Sequence, residues 1–170
     1  ESFTARTMAR HLQLSMDNVV CVNLHKEKTL EQFDAVDNKV NVSVMGEIGT
    51  FLRMKKVDFI LSPDKGAIGH AEVAARAAGC DFDNLEKTRI DGETVKMAPK
   101  KLDVDGKRVA IVDDIIATGG TILRAQEALR KQGAIEVYAC CAHGLFTGGG
   151  LERLEPVMDG LHSSDTLENP

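Results

Sequence analysis

No Cys-x-x-Cys pair occurs among the four cysteines, Cys21, Cys80, Cys140 and Cys141. That absence argues against a zinc or dithiol redox role, and the adjacent Cys140 and Cys141 inside the apolar run Val137 to Ala142 read as buried thiols of a reducing compartment. No stretch approaches the about 18 consecutive apolar residues of a membrane span, and no charged segment plus apolar segment precedes a cleavage site, so a cytoplasmic protein without a membrane partner is expected. The net charge is −5 with Lys and Arg interspersed among acids. Such a chain has no continuous basic surface to neutralise a nucleic-acid backbone, and no nucleic-acid partner is expected; a few well-placed cations and N–H groups still suffice for a small anionic ligand. No Ser-His-Asp or Cys-His nucleophilic set is evident, and His11, His70 and His162 lack matching partners. Internal repeats and low-complexity tracts are absent. There is no initiator Met: Glu1, Ser2 and Phe3 lead at once into helical periodicity, as expected of a piece of a longer polypeptide.

What is present is enough for one sizeable core together with part of a neighbouring domain, given 170 residues of which 43% are hydrophobic. Helical spacing from about Phe3 to Leu14 gives way to a short apolar strand, Val19 to Val22, ending at Asn23, Leu24 and His25. Lys26 to Asn41 reads as a charged mixture of short helix and loop. Helical spacing returns over Glu47 to Lys56, followed by a strand over Val57 to Leu61, the loop Ser62-Pro63-Asp64-Lys65-Gly66 and a small-residue helix that stops at Gly79. Phe82 to Ile90 and Thr94 to Met97 read as β segments flanking a hairpin signal at Asp91-Gly92. Asp105-Gly106 turns the chain into a further strand, Gln132-Gly133 ends the helix after it, and Val137 to Ala142 is another strand. Strands alternating with helices predict a parallel α/β sheet.

The chemistry gathers in Val109 to Leu123. Val109 to Val112 reads as a buried strand, and Ile122, Ala125 and Leu129 as the apolar stripe of an amphipathic helix. Between them, Asp113 and Asp114 leave the carboxyl end of the strand, where open α/β sheets place ligands and where carboxylates can accept hydrogen bonds from vicinal hydroxyls. The loop Ala117-Thr118-Gly119-Gly120-Thr121 then offers backbone N–H groups, two hydroxyls and the positive end of a helix dipole, which are phosphate-binding parts. A strand, two acids, a Gly-Gly-Thr turn and a helix together predict a sugar-phosphate site.

That spacing resembles the fingerprint of proteins that bind phosphoribosyl pyrophosphate (PRPP). Further segments resemble the ribose-phosphate diphosphokinase (PRPP synthetase) family in order and spacing: Asn23-Leu24-His25, Ser62-Pro63-Asp64-Lys65-Gly66, Glu86-Lys87-Thr88-Arg89 and His143-Gly144-Leu145-Phe146. The resemblance implies an α/β, parallel-sheet, Rossmann-like type I phosphoribosyltransferase fold with helices on both faces. It also implies that residues 1–38 resemble the tail of a mostly missing first domain, and that 39–170 form the second, ribose-phosphate-binding domain. The implied reaction is transfer of diphosphate from ATP to the C1 hydroxyl of ribose 5-phosphate, giving PRPP and AMP, with Mg2+ as cofactor and a homo-oligomeric enzyme. By resemblance Lys87 and Arg89 are catalytic cations, Asp113, Asp114 and Ala117 to Thr121 bind the sugar phosphate, and His25 and Asp64 are metal contacts. Asn23 departs from the family's usual Asp, and an amide there carries no charge for a metal. Two other functions remain open on the residues alone: a phosphoribosyltransferase that consumes PRPP, and a non-catalytic PRPP-binding module.

Overall fold

A computed structural model describes residues 3–85, 87–91, 94–97 and 102–168 of the chain. The chain divides into two compact units, Glu1–Val44 and Met45–Pro170.

The first unit is short. Helix α1 (Phe3–Leu12) and a 3-10 turn (Gln13–Ser15) precede strand β1 (Asn18–Val22), and a second 3-10 stretch (Glu27–Gln32) leads to β2 (Asn38–Val42). β1 and β2 pair in parallel from Asn18 against Asn38 to Val22 against Val42. Ala9, Val19, Phe33 and Val36 form its buried cluster. Gln13 fastens the end of the helix to the turn after Phe33, its Nε2 donating to Asp34 Oδ1 at 2.9 Å and its Oε1 accepting from the Ala35 N–H at 3.2 Å. The sequence expectation of helix and loop up to Asn41 misses β2, whose polar alternation Asn-Lys-Val-Asn-Val hides a strand. β2 pairs with β1, and this compact unit runs to Val44.

The second unit carries the main sheet. Helix α2 (Met45–Met54), β3 (Phe59–Ser62), α3 (Ile68–Ala78) and β4 (Asp81–Asn84) are followed by β5 (Lys87–Asp91) and β6 (Thr94–Met97). Then come β7 (Arg108–Ile116), α4 (Gly120–Lys131), β8 (Glu136–Gly144), α5 (Gly150–Leu154) and β9 (Gly160–Ser163). Five strands make a sheet in the order β4-β3-β7-β8-β9, with every neighbouring pair parallel. β5 and β6 form a separate antiparallel hairpin whose register shifts between Arg89 and Asp91. The β stretch expected over Phe82 to Ile90 is therefore two strands in two different sheets, and α5 and β9 were not anticipated.

Strand alternation explains the layering. Phe59, Leu61, Val109, Ile111, Val137, Ala139 and Cys141 share one cluster with Ile122, Ala125 and Leu129 of α4. Their alternates, Ile60, Ala110, Val112, Tyr138, Cys140 and Ala142, are also buried, on the opposite face. On that face α2 reaches β9, with the Phe51 ring edge-on to His162 at 4.5 Å between centroids, and His162 stacks on Tyr138. Apolar runs such as Val109 to Val112 are thus continuous because the central strands are covered on both sides. Burial also pushes the Cys140 and Cys141 thiols up, Cys141 to about 12, so both stay protonated, and all four cysteines are free.

Candidate functional site

The strand order contains a switch point. From β3 the chain winds outward through α3 to the edge strand β4, then returns to β7 and winds the other way through β8 to β9. Loops leaving the carboxyl ends of β3 and β7 therefore diverge and leave a crevice between them, the position where open α/β sheets bind ligands. The loop after β3 is Ser62 to Ala67 and the loop after β7 is Ala117 to Gly119.

Asp113 and Asp114 sit on the last turns of the β7 pleat. Asp113 Oδ1 accepts from the Asp114 N–H at 2.9 Å, and Asp114 Oδ1 from the Ile115 N–H at 2.8 Å. Asp114 is 4% exposed. Burial, then the hydrogen bond and charge of Asp114, and last the charge of Asp64 push the Asp113 carboxyl up to about 8, with the Asp114 N–H opposing. Two acids this close hold one proton between them at neutral pH. The Asp64 contribution links the two loops of the crevice electrostatically. Asp64 Oδ1 itself accepts from the Gly66 and Ala67 N–H groups at 2.8 and 3.2 Å, and Ser62 Oγ donates to the Asp64 carbonyl at 2.6 Å, so this carboxylate shapes its own loop.

Below the acids, Ala117, Thr118, Gly119, Gly120 and Thr121 line a cavity of about 150 Å3 together with Asp113, Ile115, Ile116 and Ile122. That is about five water volumes, the scale of a phosphate group with part of a sugar. Gly119 precedes α4 at φ +74°, and a Cβ there would lie 2.7 Å from Leu154 Cδ1. The position therefore admits glycine on both conformational and steric grounds. α5 underlies the loop: a Cβ on Gly150 would come 2.7 Å from the Ala117 carbonyl, and Arg153 Nη2 donates to the Thr118 carbonyl at 2.7 Å. Arg153 thus takes up the Thr118 carbonyl of a loop that lines the cavity at the head of α4, where N–H groups and the positive end of the helix dipole can receive an anion.

The remaining expected residues come from other segments of the chain. His25 lies in the first unit and lines an open cavity of about 860 Å3 together with Arg6, Lys26, Glu27 and Lys28. Just before it, Asn23 adopts φ +48° and is 2% exposed, its Oδ1 accepting from Ser43 Oγ at 3.3 Å. Lys87 and Arg89 belong to β5, paired opposite Met97 and Val95, while their side chains lie outside the described residues. Among the described residues no group of three or more His, Cys, Asp or Glu side chains is arranged to hold a metal ion. His143, in register with Ile115, has its Nδ1 2.8 Å from Thr166 Oγ1, and the Leu145 and Phe146 N–H groups donate to the Ile116 carbonyl at 2.9 and 3.1 Å. The His-Gly-Leu-Phe segment thereby props the exit of β7.

Sequence reasoning missed Arg153, Leu154 and Gly150. Their only signal is the glycine run Gly148-Gly149-Gly150 running into a short amphipathic stretch, which spacing alone does not connect to the Thr118 loop.

The phosphoribosyl transferase domain family matches residues 46–159. The chain is 39% identical over its full length to a ribose-phosphate pyrophosphokinase of Thermococcus kodakarensis, covering 60% of that protein, and 39% identical to one of Pyrococcus furiosus, covering 61%. It thus spans about three-fifths of the length of these relatives. Among solved structures, the phosphoribosylpyrophosphate synthetase from Mycobacterium smegmatis superimposes with a TM-score of 0.82 at 26% identity, over 98% of this chain and 55% of that one. A purine phosphoribosyltransferase from Pyrococcus horikoshii shares the fold at a TM-score of 0.54 and 24% identity. No helix of the described residues is long and apolar enough to cross a membrane.

Proposed function

The chain belongs to the phosphoribosyl transferase domain family, and on that premise we propose that it supplies the ribose-phosphate half of a ribose-phosphate diphosphokinase. The reaction is attack of the C1 hydroxyl of ribose 5-phosphate on the β-phosphorus of ATP, giving PRPP and AMP. The observation that carries this reading is the meeting of the Asp113–Asp114 pair with the Thr118 to Thr121 loop at the switch point of a parallel sheet.

The loop amides, the Thr118 and Thr121 hydroxyls and the head of α4 hold the 5-phosphate. Asp113 and Asp114 accept hydrogen bonds from the ribose hydroxyls, and the proton they share in the empty site leaves as those bonds form. Lys87 and Arg89 neutralise charge on the transferring diphosphate, Arg89 by bridging two oxygens and Lys87 as a mobile point charge. Asp64 offers the kind of oxygen donor that magnesium prefers, and the ion, when bound, would offset diphosphate charge. ATP as donor, magnesium, a homo-oligomer and a cytoplasmic setting complete the proposal, carried by the resemblance of the sequence motifs.

Phosphorus NMR tests it. With this chain, ribose 5-phosphate is expected to show a perturbed 5-phosphate resonance, and the full-length protein with Mg2+ and ATP is expected to form PRPP and AMP. An unperturbed resonance at millimolar chain would remove the sugar-phosphate reading, whereas binding without turnover in the full-length protein would reduce the function to that of a binding module.

A further inference from the structure

One cation at the loop belongs to none of the sequence motifs. Arg124 lies on α4 three residues after Thr121, and helical side chains lean back over the preceding turn toward the N-terminus. Its guanidinium accordingly stands at the head of the helix: Nη2 is 3.5 Å from Thr121 Oγ1, a loose contact for a hydrogen bond. A Cβ built on Gly120 would have Arg124 Nη1 at 3.7 Å and Thr118 Oγ1 at 3.9 Å, so the cation and the Thr118 hydroxyl stand beside the same glycine. Among the described residues Arg124 pairs with no carboxylate.

This placement is unfavourable without a ligand. The head of a helix already carries roughly half a positive charge, and an arginine folded onto it adds a full one. The cavity that the loop lines also carries acid, with Asp113 in its wall, Asp114 next in the chain and the charge of Asp64 felt at Asp113. A phosphate monoester bound there would be repelled by the carboxylates and met at the loop by hydroxyls, neutral amides and a fractional dipole alone. Arg124 supplies the missing unit of charge in a planar fork that can engage two phosphate oxygens.

We propose that Arg124 is a substrate-binding residue whose guanidinium closes on the phosphate held by the Thr118 to Thr121 loop and sets the preference of the site for a phosphorylated sugar over the free sugar. The inference rests on the loop being the 5-phosphate cradle. Arg124 is exposed and makes no buried contact, so its replacement leaves the fold unstrained.

Isothermal titration of this chain with ribose 5-phosphate, inorganic phosphate and ribose, at two salt concentrations, tests the assignment in Arg124→Ala and Arg124→Lys. The alanine variant is expected to bind ribose 5-phosphate and inorganic phosphate about tenfold more weakly, as for loss of a charge-assisted hydrogen bond, and to lose much of the salt dependence. Arg124→Lys should recover the salt dependence but only part of the affinity, because it restores charge without the fork. Ribose binding should be the same in all three. If the unaltered chain binds ribose 5-phosphate and Arg124→Ala binds it equally well with the same salt dependence, the role of Arg124 is overturned while the cradle stands. If the unaltered chain binds no phosphate at all, the cradle reading falls and takes this inference with it. Circular dichroism checks folding, and should the alanine variant unfold, Arg124→Gln carries the same comparison.

Discussion

Arg153 Nη2 donates to the Thr118 carbonyl oxygen at 2.7 Å, tying the short helix α5 to the Ala117 to Thr121 loop from a position 35 residues further along the chain. The bond fixes a peptide of the loop that lines the cavity. Arg153→Ala is expected to weaken ribose 5-phosphate binding about fivefold, the equivalent of the ~1 kcal/mol net worth of a typical hydrogen bond, with the melting temperature moved by only a few degrees. Titration calorimetry beside a thermal melt separates the two effects; a large loss of stability with unchanged affinity would make Arg153 a purely structural contact.

Gly119 faces two constraints, its φ of +74° and the Leu154 methyl that would stand 2.7 Å from any Cβ. Gly119→Ala should therefore cost about 1–3 kcal/mol in urea unfolding and displace the loop enough to abolish measurable 5-phosphate binding. Co-replacement of Leu154 by Ala should return part of the affinity by removing the clash, although the backbone strain persists.

The acid pair governs pH dependence. Asp113 is held protonated up to about 8 by burial and by Asp114, whereas in the unfolded chain it ionises near the ordinary carboxylate value of about 3.9. Between those limits the folded protein binds the extra proton, so this group makes the ligand-free chain less stable as pH rises from about 4 to about 8, with no further loss above. Ribose 5-phosphate binding, which favours ionised acceptors, should strengthen over pH 7 to 9, above the second phosphate ionisation near pH ~6. Asp113→Asn should flatten both profiles, and an unaltered slope in that variant would place the titration elsewhere.

Asp114→Asn removes charge from a side chain that is 4% exposed while keeping an oxygen for the Ile115 N–H. Ribose 5-phosphate affinity should fall about tenfold, within the range for a hydrogen bond to a charged group, and inorganic phosphate affinity should not fall. Equal loss for both ligands would contradict hydroxyl recognition by this acid.

Lys87→Ala in the full-length protein is expected to abolish diphosphate transfer while leaving ribose 5-phosphate binding intact. Single-turnover formation of AMP measures the first quantity and calorimetry the second. Normal turnover would end the assignment of that lysine.

The parts of the fold legible in the sequence are those where one local rule suffices. β7 and β8 announce themselves as apolar runs because both faces are covered, and α3 stops at Gly79, which adopts φ +76° and donates its N–H to the Ala75 carbonyl at 2.8 Å. β2 was hidden because its less exposed positions are the polar Lys39 and Asn41 while Val40 and Val42 face outward, so the strand shows no apolar-inside alternation. The separation of β4 from β5 escaped notice because β propensity carries no information about which sheet a strand joins. At the site, Asp113, Asp114 and the Gly-Gly-Thr turn are contiguous and could be read directly. Arg153 and Leu154 act through space across a long stretch of chain, and Arg124 looks like any solvated arginine until the backward lean of its side chain brings it to Thr121.

The reversal of winding between β3 and β7 makes the two walls of the crevice separately variable. One arm of the chain, from β3 through β4 and the β5–β6 hairpin, can lengthen, shorten or exchange its loops without altering the register of β7, β8 and β9, where the phosphate loop and its α5 support are anchored. A change on one side of the crevice can thus leave the other side as it is.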